Sequence, residues 1–343
     1  MLEFSEVMRK KLKTIDLFAG IGGLRLGFQN HGFETVFAND YESKCKDTYD
    51  LNFSNTRLTV GDIREISSED IPDFDFLLAG FPCQAFSVAG YRQGFDDEKG
   101  RGNLFFEIAR ILEDKKPIGF LLENVKNLRG HDGGKTFRVI MKTLRNLGYD
   151  VTSQVLNSMN YGNVPQNRER IYIVGFLRKT GLMQNFNFPQ PQVLSKSIID
   201  ILEDPTKIDQ KYYYNDKPLF DPLKKYSFKE NRVYQWRRQY VRENKSGVCP
   251  TLTANMGTGG HNVPIVIDKR GIRKLTPKEC LLVQGFPKDY KLPEITDSHL
   301  YKQIGNSVTV PVVEMMAEQI SEIIFSPKAI KNKTGSYQLV LVN

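Results

Sequence analysis

Short apolar runs alternate with longer amphipathic stretches from Lys13 to about Phe176. The runs are TIDLF, ETVFA, RLTV, FDFLLAG, IGFLLEN, YDVTSQVL and RIYIVGF. Runs so short and so continuously apolar suit strands covered on both faces, as in a parallel sheet. Between them, Asn103–Asp114 and Lys135–Leu147 carry apolar residues at helical spacing. The alternation predicts a doubly wound α/β sheet of Rossmann-like type. From about Leu177 to Gly271 the pattern breaks, and prolines, aromatics and basic residues take over without a helical period. Helical patterning returns at Pro277–Gln284 and Val308–Phe325. The expected organisation is therefore a large domain built from residues 1–177 and 272–325, a smaller domain inserted at 178–271, and a tail at 326–343.

Composition narrows the classes. Charged residues make up 26% and hydrophobic ones 40% of the 343 residues, which excludes a wholly disordered or collagen-like chain. No apolar run approaches the roughly 18–20 residues that span a bilayer. The opening MLEFSEVMRKKLK lacks the apolar core of a secretory signal, so a cytoplasmic location is expected. Cys45, Cys83, Cys249 and Cys280 are scattered without a C-x-x-C pair, and there are four histidines. That pattern points away from a metal site and a disulfide framework, and toward a catalytic role for any functional cysteine. The formal charge is +8, and it is unevenly placed: Lys207–Lys245 holds eleven Lys and Arg against five Asp and Glu. Tyr212, Tyr213, Tyr214, Tyr226, Phe228, Tyr234, Trp236 and Tyr240 are interleaved with them. Such a stretch suits contact with phosphates and bases, or else a solvated face with aromatics buried beneath it.

The chemistry-bearing residues fall at predicted strand ends, where open α/β sheets place their ligands. Gly20, Gly22 and Gly23 follow the first strand, where backbone can approach a ligand closely, although their spacing is not G-x-G-x-x-G. Asp40 ends the second strand, where a carboxylate can accept from ribose hydroxyls, and Tyr41 beside it can pack on an adenine. Asp62 follows the third, placed for an adenine amino group. Together these three strand ends suggest an adenosine-containing cofactor. Cys83 follows the fourth strand as a candidate nucleophile, and Gln84–Gly102 reads as a loop able to close over a substrate. Glu123 and Asn124 end the fifth strand, where a carboxyl in an apolar cleft can stay protonated and act as an acid. Arg168 and Arg170 alternate just before the last strand, and a period of two puts both on one face.

The blocks DLFAGIGG, GFPCQAFS, LLENV, QNRERIY, RKLTPKECLLVQGFP and QIGNSV stand in an order and spacing that resemble the bacterial DNA cytosine-5 methyltransferases, across roughly residues 13–325. The resemblance implies an S-adenosylmethionine-dependent methyltransferase fold and methyl transfer to carbon 5 of a flipped-out cytosine in a short duplex sequence. It gives Cys83 the attack on carbon 6 and Glu123 the hydrogen bond to ring nitrogen 3. Arg168 would contact the base carbonyl oxygen and Arg170 the surrounding site. Phe18, Gly20, Gly22, Gly23 and Leu24 match the methionine-binding turn. Asp40 and Tyr41 match the ribose and adenine contacts, Asp62 and Ile63 the adenine clamp, and Pro82, Leu104, Asn306 and Ser307 the rest of the pocket. Relatives often have Glu and Trp where this chain has Asp40 and Tyr41.

The same resemblance places target recognition between QNRER and RKLTP, the stretch of basic and aromatic residues. Thr251 and Leu252 match a TL pair typical of that region. Gly257, Gly259 and Gly260 would let backbone approach DNA, and Asn255, His261 and Asn262 offer groups to base edges. Arg232, Gln235, Arg237, Arg238 and Arg242 are further base or phosphate candidates. The RVYQW…CPTLT arrangement is similar to recognition regions for GG…CC palindromes. The implied partners are double-stranded DNA, bound by a monomer, and a restriction endonuclease of the same specificity. An RNA (tRNA) cytosine-5 methyltransferase shares the chemistry but has a more compact second domain. A non-catalytic DNA-binding homologue would have no use for Cys83, Glu123 and Arg168 together. A nicotinamide oxidoreductase would leave PCQ and ENV unexplained.

Overall fold

The computed structural model describes residues 11–82, 104–215, 217–237, 240–244, 247–258, 262–325, 328–331 and 337–340. The seven apolar runs form one sheet. Its strands are β1 (Leu12–Leu17), β2 (Phe33–Asp40), β3 (Thr59–Val60), β4 (Phe76–Gly80), β5 (Gly119–Val125), β6 (Tyr149–Asn157) and β8 (Glu169–Leu177), the short β7 (Gln166–Asn167) lying apart. Their order is β3-β2-β1-β4-β5-β8-β6. The first five run parallel, and β8 is wedged antiparallel between β5 and β6.

Alternation along each strand divides the core in two, because successive side chains point to opposite faces. Phe76, Leu78 and Leu121 point to the face covered by α1 (Gly23–Gln29) and α9 (Val310–Phe325). Leu77, Ala79, Phe120 and Leu122 point to the face covered by α3 (Leu104–Lys115) and α4 (Lys135–Asn146). Each of these leucines is fully buried, worth about 1.5–3 kcal/mol apiece. Helix α2 (Ser43–Asn52) follows β2, and the single turn α5 (Ser158–Tyr161) follows β6. Helices α3, α4 and α9 agree with their expected ranges to within two residues.

The middle of the chain adds α6 (Phe220–Lys224) and a second, antiparallel sheet of β9 (Tyr234–Arg237), β10 (Tyr240–Glu243), β12 (Ile265–Asp268) and β13 (Gly271–Lys274), in the order β10-β9-β12-β13. It has its own core of Tyr214, Leu223, Tyr234, Val241, Ile265 and Ile272. This sheet was not anticipated, because its strands are four residues long and three of them mix Arg among their apolar residues. It also runs on to Lys274, past the boundary expected at Gly271. Between β10 and β12, β11 (Cys249–Pro250) pairs in parallel with β7, so this stretch joins the large body.

The chain then forms α7 (Pro277–Val283) and α8 (Asp297–Asn306). Thr276 starts α7 with a capping box to Glu279. The same Glu279 accepts two 2.8 Å bonds from the buried Arg273, whose Nε also meets Asp268. Arg273 is thus held between the small sheet and α7. Helix α8 was not anticipated, having few apolar residues beyond Leu300, Tyr301 and Ile304 to mark its buried face. In the tail, β14 (Lys328–Lys331) and β15 (Tyr337–Val340) pair antiparallel.

Candidate active site at the strand ends

A cavity of about 680 Å³ opens at the carboxyl ends of β1, β2, β4 and β5, closed on one side by the end of α8. Phe18, Gly20, Gly23, Leu24, Asp40, Tyr41, Asp62, Ile63, Pro82, Leu104, Glu123, Arg168, Arg170, Asn306 and Ser307 all line it. Cys83 lies outside the described residues, as do Gln84–Gly102, Arg238, Gly259, Gly260 and His261.

The turn after β1 is shaped by backbone. Phe18 has φ +56°, an unusual value for a residue with a side chain, and Gly20 and Gly22 have φ +53° and +76°. A Cβ on Gly22 would come within 2.3 Å of the Phe53 ring, so only glycine fits there, although Gly22 itself packs behind the cavity wall. A Cβ on Gly20 or Gly61 would meet no atom within 4 Å, because both backbones border open cavity. Tyr290, from the chain after α7, donates to Ile21 O at 2.5 Å and steadies the turn from behind.

Asp40 accepts from Gly20 N at 2.7 Å and Glu42 N at 2.8 Å. Burial nevertheless holds its carboxyl above the ordinary range, with these two amide bonds working the other way. Tyr41 is 77% exposed at the rim. Asp62 is clasped by Arg64, whose Nε lies 2.9 Å from Oδ1, and this bond lowers the Asp62 pKa. Asn39, which the sequence did not single out, donates to Thr59 O and Gly61 O at 3.1 and 3.0 Å and fixes the β2–β3 edge. Asn124 donates to Phe81 O at 2.8 Å and does the same for β4 and β5.

Glu123 is buried, with Oε1 3.0 Å from Arg170 Nε. Burial raises its pKa, against the pull of Arg170 and Arg168. A carboxyl whose pKa is raised holds its proton to higher pH and is the better placed to donate it. The two arginines were expected to share a face, with Arg168 on the base carbonyl oxygen and Arg170 on the surrounding site. They differ. Arg168 falls between β7 and β8, is 2% exposed, and gives its terminal nitrogens to backbone: Nη1 to Leu252 O at 2.7 Å and Nη2 to Ser307 O at 2.6 Å. Burial pushes its guanidinium down to about 9, and Arg170 adds to that. The carboxyl partner is Arg170.

Asp16 is a residue the sequence did not expose. It sits on β1 below the glycine turn, fully buried, and neither carboxylate oxygen has a hydrogen-bond partner among the described residues. Burial raises it to about 7, with Arg25 opposing and Asp40 reinforcing.

The candidate DNA contacts are divided. Arg237 and Arg242 are exposed on neighbouring strands, and Asn255 and Asn262 are exposed on the loop before β12. Arg232 faces Glu243 at 3.6 Å, and Gln235 accepts from Arg237 at 3.0 Å. Thr251 donates to Asn167 O at 2.7 Å, and Leu252 is buried. Gly257 is needed for packing, since its Cβ would lie 2.4 Å from Ser298 O on α8. Of the aromatics, Tyr212, Tyr213, Tyr214 and Tyr234 are core, with Tyr226 and Tyr240 left exposed. The bland alternative, aromatics beneath a solvated face, describes most of them.

Known proteins give the site its context. The profile of the C-5 cytosine-specific DNA methylase family matches residues 12–322. The type II methyltransferase M.Bsp6I of Bacillus sp. (strain RFL6) is 56% identical over 312 residues, spanning 90% of this chain and 98% of that one. M.NgoBI of Neisseria gonorrhoeae is 42% identical over 333 residues, spanning 95% and 97%. Among solved structures, a mutant of DNMT2 from Spodoptera frugiperda superposes with TM-score 0.70 at 22% identity, covering 90% of this chain and 99% of that one. That likeness speaks to the fold alone. With a parallel sheet, a strand-end cavity and a profile match over nearly its whole length, the chain belongs to the C-5 cytosine-specific DNA methylases and is a DNA cytosine-5 methyltransferase of the type II kind.

Proposed function

We propose that the enzyme draws its target cytosine out of the duplex and methylates it through a transient bond to Cys83. Carbon 5 of cytosine is too poor a nucleophile to react unaided, and a stacked base is out of reach of any side chain. The observation that carries this reading is Glu123, buried, raised in pKa and set on the cavity wall beside Arg170, with Pro82 on the same wall and Cys83 one peptide bond further on.

The Cys83 thiolate adds to carbon 6, forming an S–C bond and pushing electron density toward carbon 5 and ring nitrogen 3. Glu123 donates its proton to nitrogen 3 as charge builds there, where a placed donor is most effective. Arg170 holds that carboxyl in place and offers N–H groups to the base carbonyl oxygen. Once carbon 5 carries the methyl group, loss of its proton expels the Cys83 sulfur as thiolate, nitrogen 3 returns its proton to Glu123, and the ring is restored.

The family implies S-adenosylmethionine as methyl donor, and the residues fit it. The cavity borders two bare glycine backbones, at Gly20 and Gly61, where a side chain would intrude. Asp40 has the chemistry to accept from ribose hydroxyls, Tyr41 and Ile63 to flank adenine, and Asp62 to accept from its amino group. When bound, the cofactor supplies an electrophilic methyl group on a sulfonium. We infer further that residues 178–271 read the target and that a restriction endonuclease shares it, as the relatives' type II designation suggests.

The test is a duplex with 5-fluorocytosine at the target, which cannot lose the group on carbon 5. Mass spectrometry should find it joined to the peptide containing Cys83. Methylation of the ordinary duplex with no trapped adduct on the fluorinated one would overturn the covalent route.

A further inference from the structure

Arg168 joins two segments far apart in sequence. Its Nη1 donates to Leu252 O, in the region assigned to target reading, and its Nη2 to Ser307 O, in the cofactor-cavity wall, with Gly305 O within 3.4 Å of Nη2. The Leu252 peptide is held from its other side too. Its N–H donates to Gln166 Oε1 at 3.1 Å, while Gln166 Nε2 donates to Gln284 Oε1 at 3.0 Å and Gln284 Nε2 to Ile304 O at 2.9 Å. Thr309 closes the chain with a 3.2 Å bond to Gln284 Oε1. Gln166, Arg168 and Gln284 are all buried. A separate steric tie lies alongside: a Cβ on Gly305 would come within 2.2 Å of the Thr253 backbone.

Neither segment can shift alone without leaving a buried cation or amide unpaired, which costs far more than an exposed bond. We propose that Arg168 is a positioning residue that couples target binding to cofactor binding. Displacement of the Thr251–Thr253 backbone by DNA is carried through its guanidinium to Gly305–Ser307, and thence to the cavity, where Ser307 Oγ lies 2.8 Å from where a Cβ on Gly23 would sit. This rests on residues 178–271 contacting the target, and adds that the contact is felt at the cofactor. Such coupling is reciprocal: each ligand must tighten the other by the same factor.

The test measures S-adenosylhomocysteine affinity by calorimetry for free enzyme and for enzyme saturated with a duplex containing the site that methylome sequencing identifies. The wild type should bind it about tenfold tighter with the duplex, within the usual range of coupling. Arg168→Lys keeps the charge but cannot reach both carbonyls, and should bring that ratio close to one while free-enzyme affinity changes much less. An unchanged ratio in the folded variant, or a wild-type ratio of one, overturns the proposal. So does an equal loss of affinity with and without duplex, which marks a merely structural role. If Arg168→Lys does not fold, hydrogen exchange on the wild type decides: S-adenosylhomocysteine alone should slow exchange of the peptide spanning Thr251–Thr253, and unchanged exchange there overturns the proposal. Methyl incorporation measured in parallel keeps a failure of coupling distinct from a failure of the proposed chemistry.

Discussion

At the carboxyl edge of the large sheet, Asp40 and Glu123 are withdrawn from water and turned toward one cavity, and burial shifts both in the same direction. In the small sheet the charged groups are treated otherwise. Arg237 and Arg242 stand in solvent, and Arg273 is buried but fully matched by Glu279 and Asp268. The first arrangement makes groups reactive. The second leaves cations in solvent and makes a joint that holds the small sheet to the body. Burial without full compensation is what separates the two regions.

The most severe way to break the contrast is Cys83→Ser. Methyl incorporation should fall by more than roughly 10³-fold, while cofactor and DNA binding persist, since an alcohol is a far weaker nucleophile than a thiolate. Retained turnover would move the nucleophile elsewhere. Next is Glu123→Gln, which should cost on the order of 10²–10⁴ in single-turnover rate. The pH profile sharpens it. In the proposed mechanism the protonated carboxyl is the active form and its pKa is raised, so the wild-type rate should decline as pH climbs through that raised value. The amide has no proton to lose there, and the variant should lack that decline.

Asp16 tests the same idea through stability. The folded state holds its proton from the ordinary carboxylate value of 3.8 up to about 7, while the unfolded chain has released it. Stability therefore falls as pH rises across that window and levels off above it. Asp16→Asn should raise the urea midpoint near the upper end, by on the order of 4 kcal/mol of stability, and not at the lower end. Parallel midpoints at both ends would show that the buried carboxyl has found compensation. Smallest is the paired change Arg237→Ala with Arg242→Ala. It should weaken duplex binding and lower the slope of log affinity against log salt by up to about two. An unaltered slope places the phosphate contacts on other residues.

The large sheet was legible because its central strands β1, β4, β5 and β8 are covered on both faces, which makes each a short apolar run that ends where the polarity begins. Asp40, Asp62 and Glu123 could be found by that rule alone. Arg168 and Arg170 could not be told apart. Their spacing is compatible with one face, and nothing in QNRER says that the strand is interrupted at Arg168, that backbone carbonyls from two other segments converge on it, or that Arg170 receives the carboxyl. Gln166 and Gln284 left a faint trace, as amides inside otherwise apolar or structural blocks. The tyrosines at 212–214 were ambiguous for a physical reason: an aromatic ring serves a core and a stacking surface equally well, and only the surrounding chain decides which.

The pairing of β11 with β7, and the tight seat of Thr253 against Gly305, bear on how new specificities could be built. A chimera that exchanges the whole interval from 178 to 271 would import a foreign Cys249–Gly257 and force it onto a host helix shaped for another backbone. A graft that leaves those nine positions native, and changes only the chain on either side, should keep its catalytic body intact while its choice of sequence is rewritten.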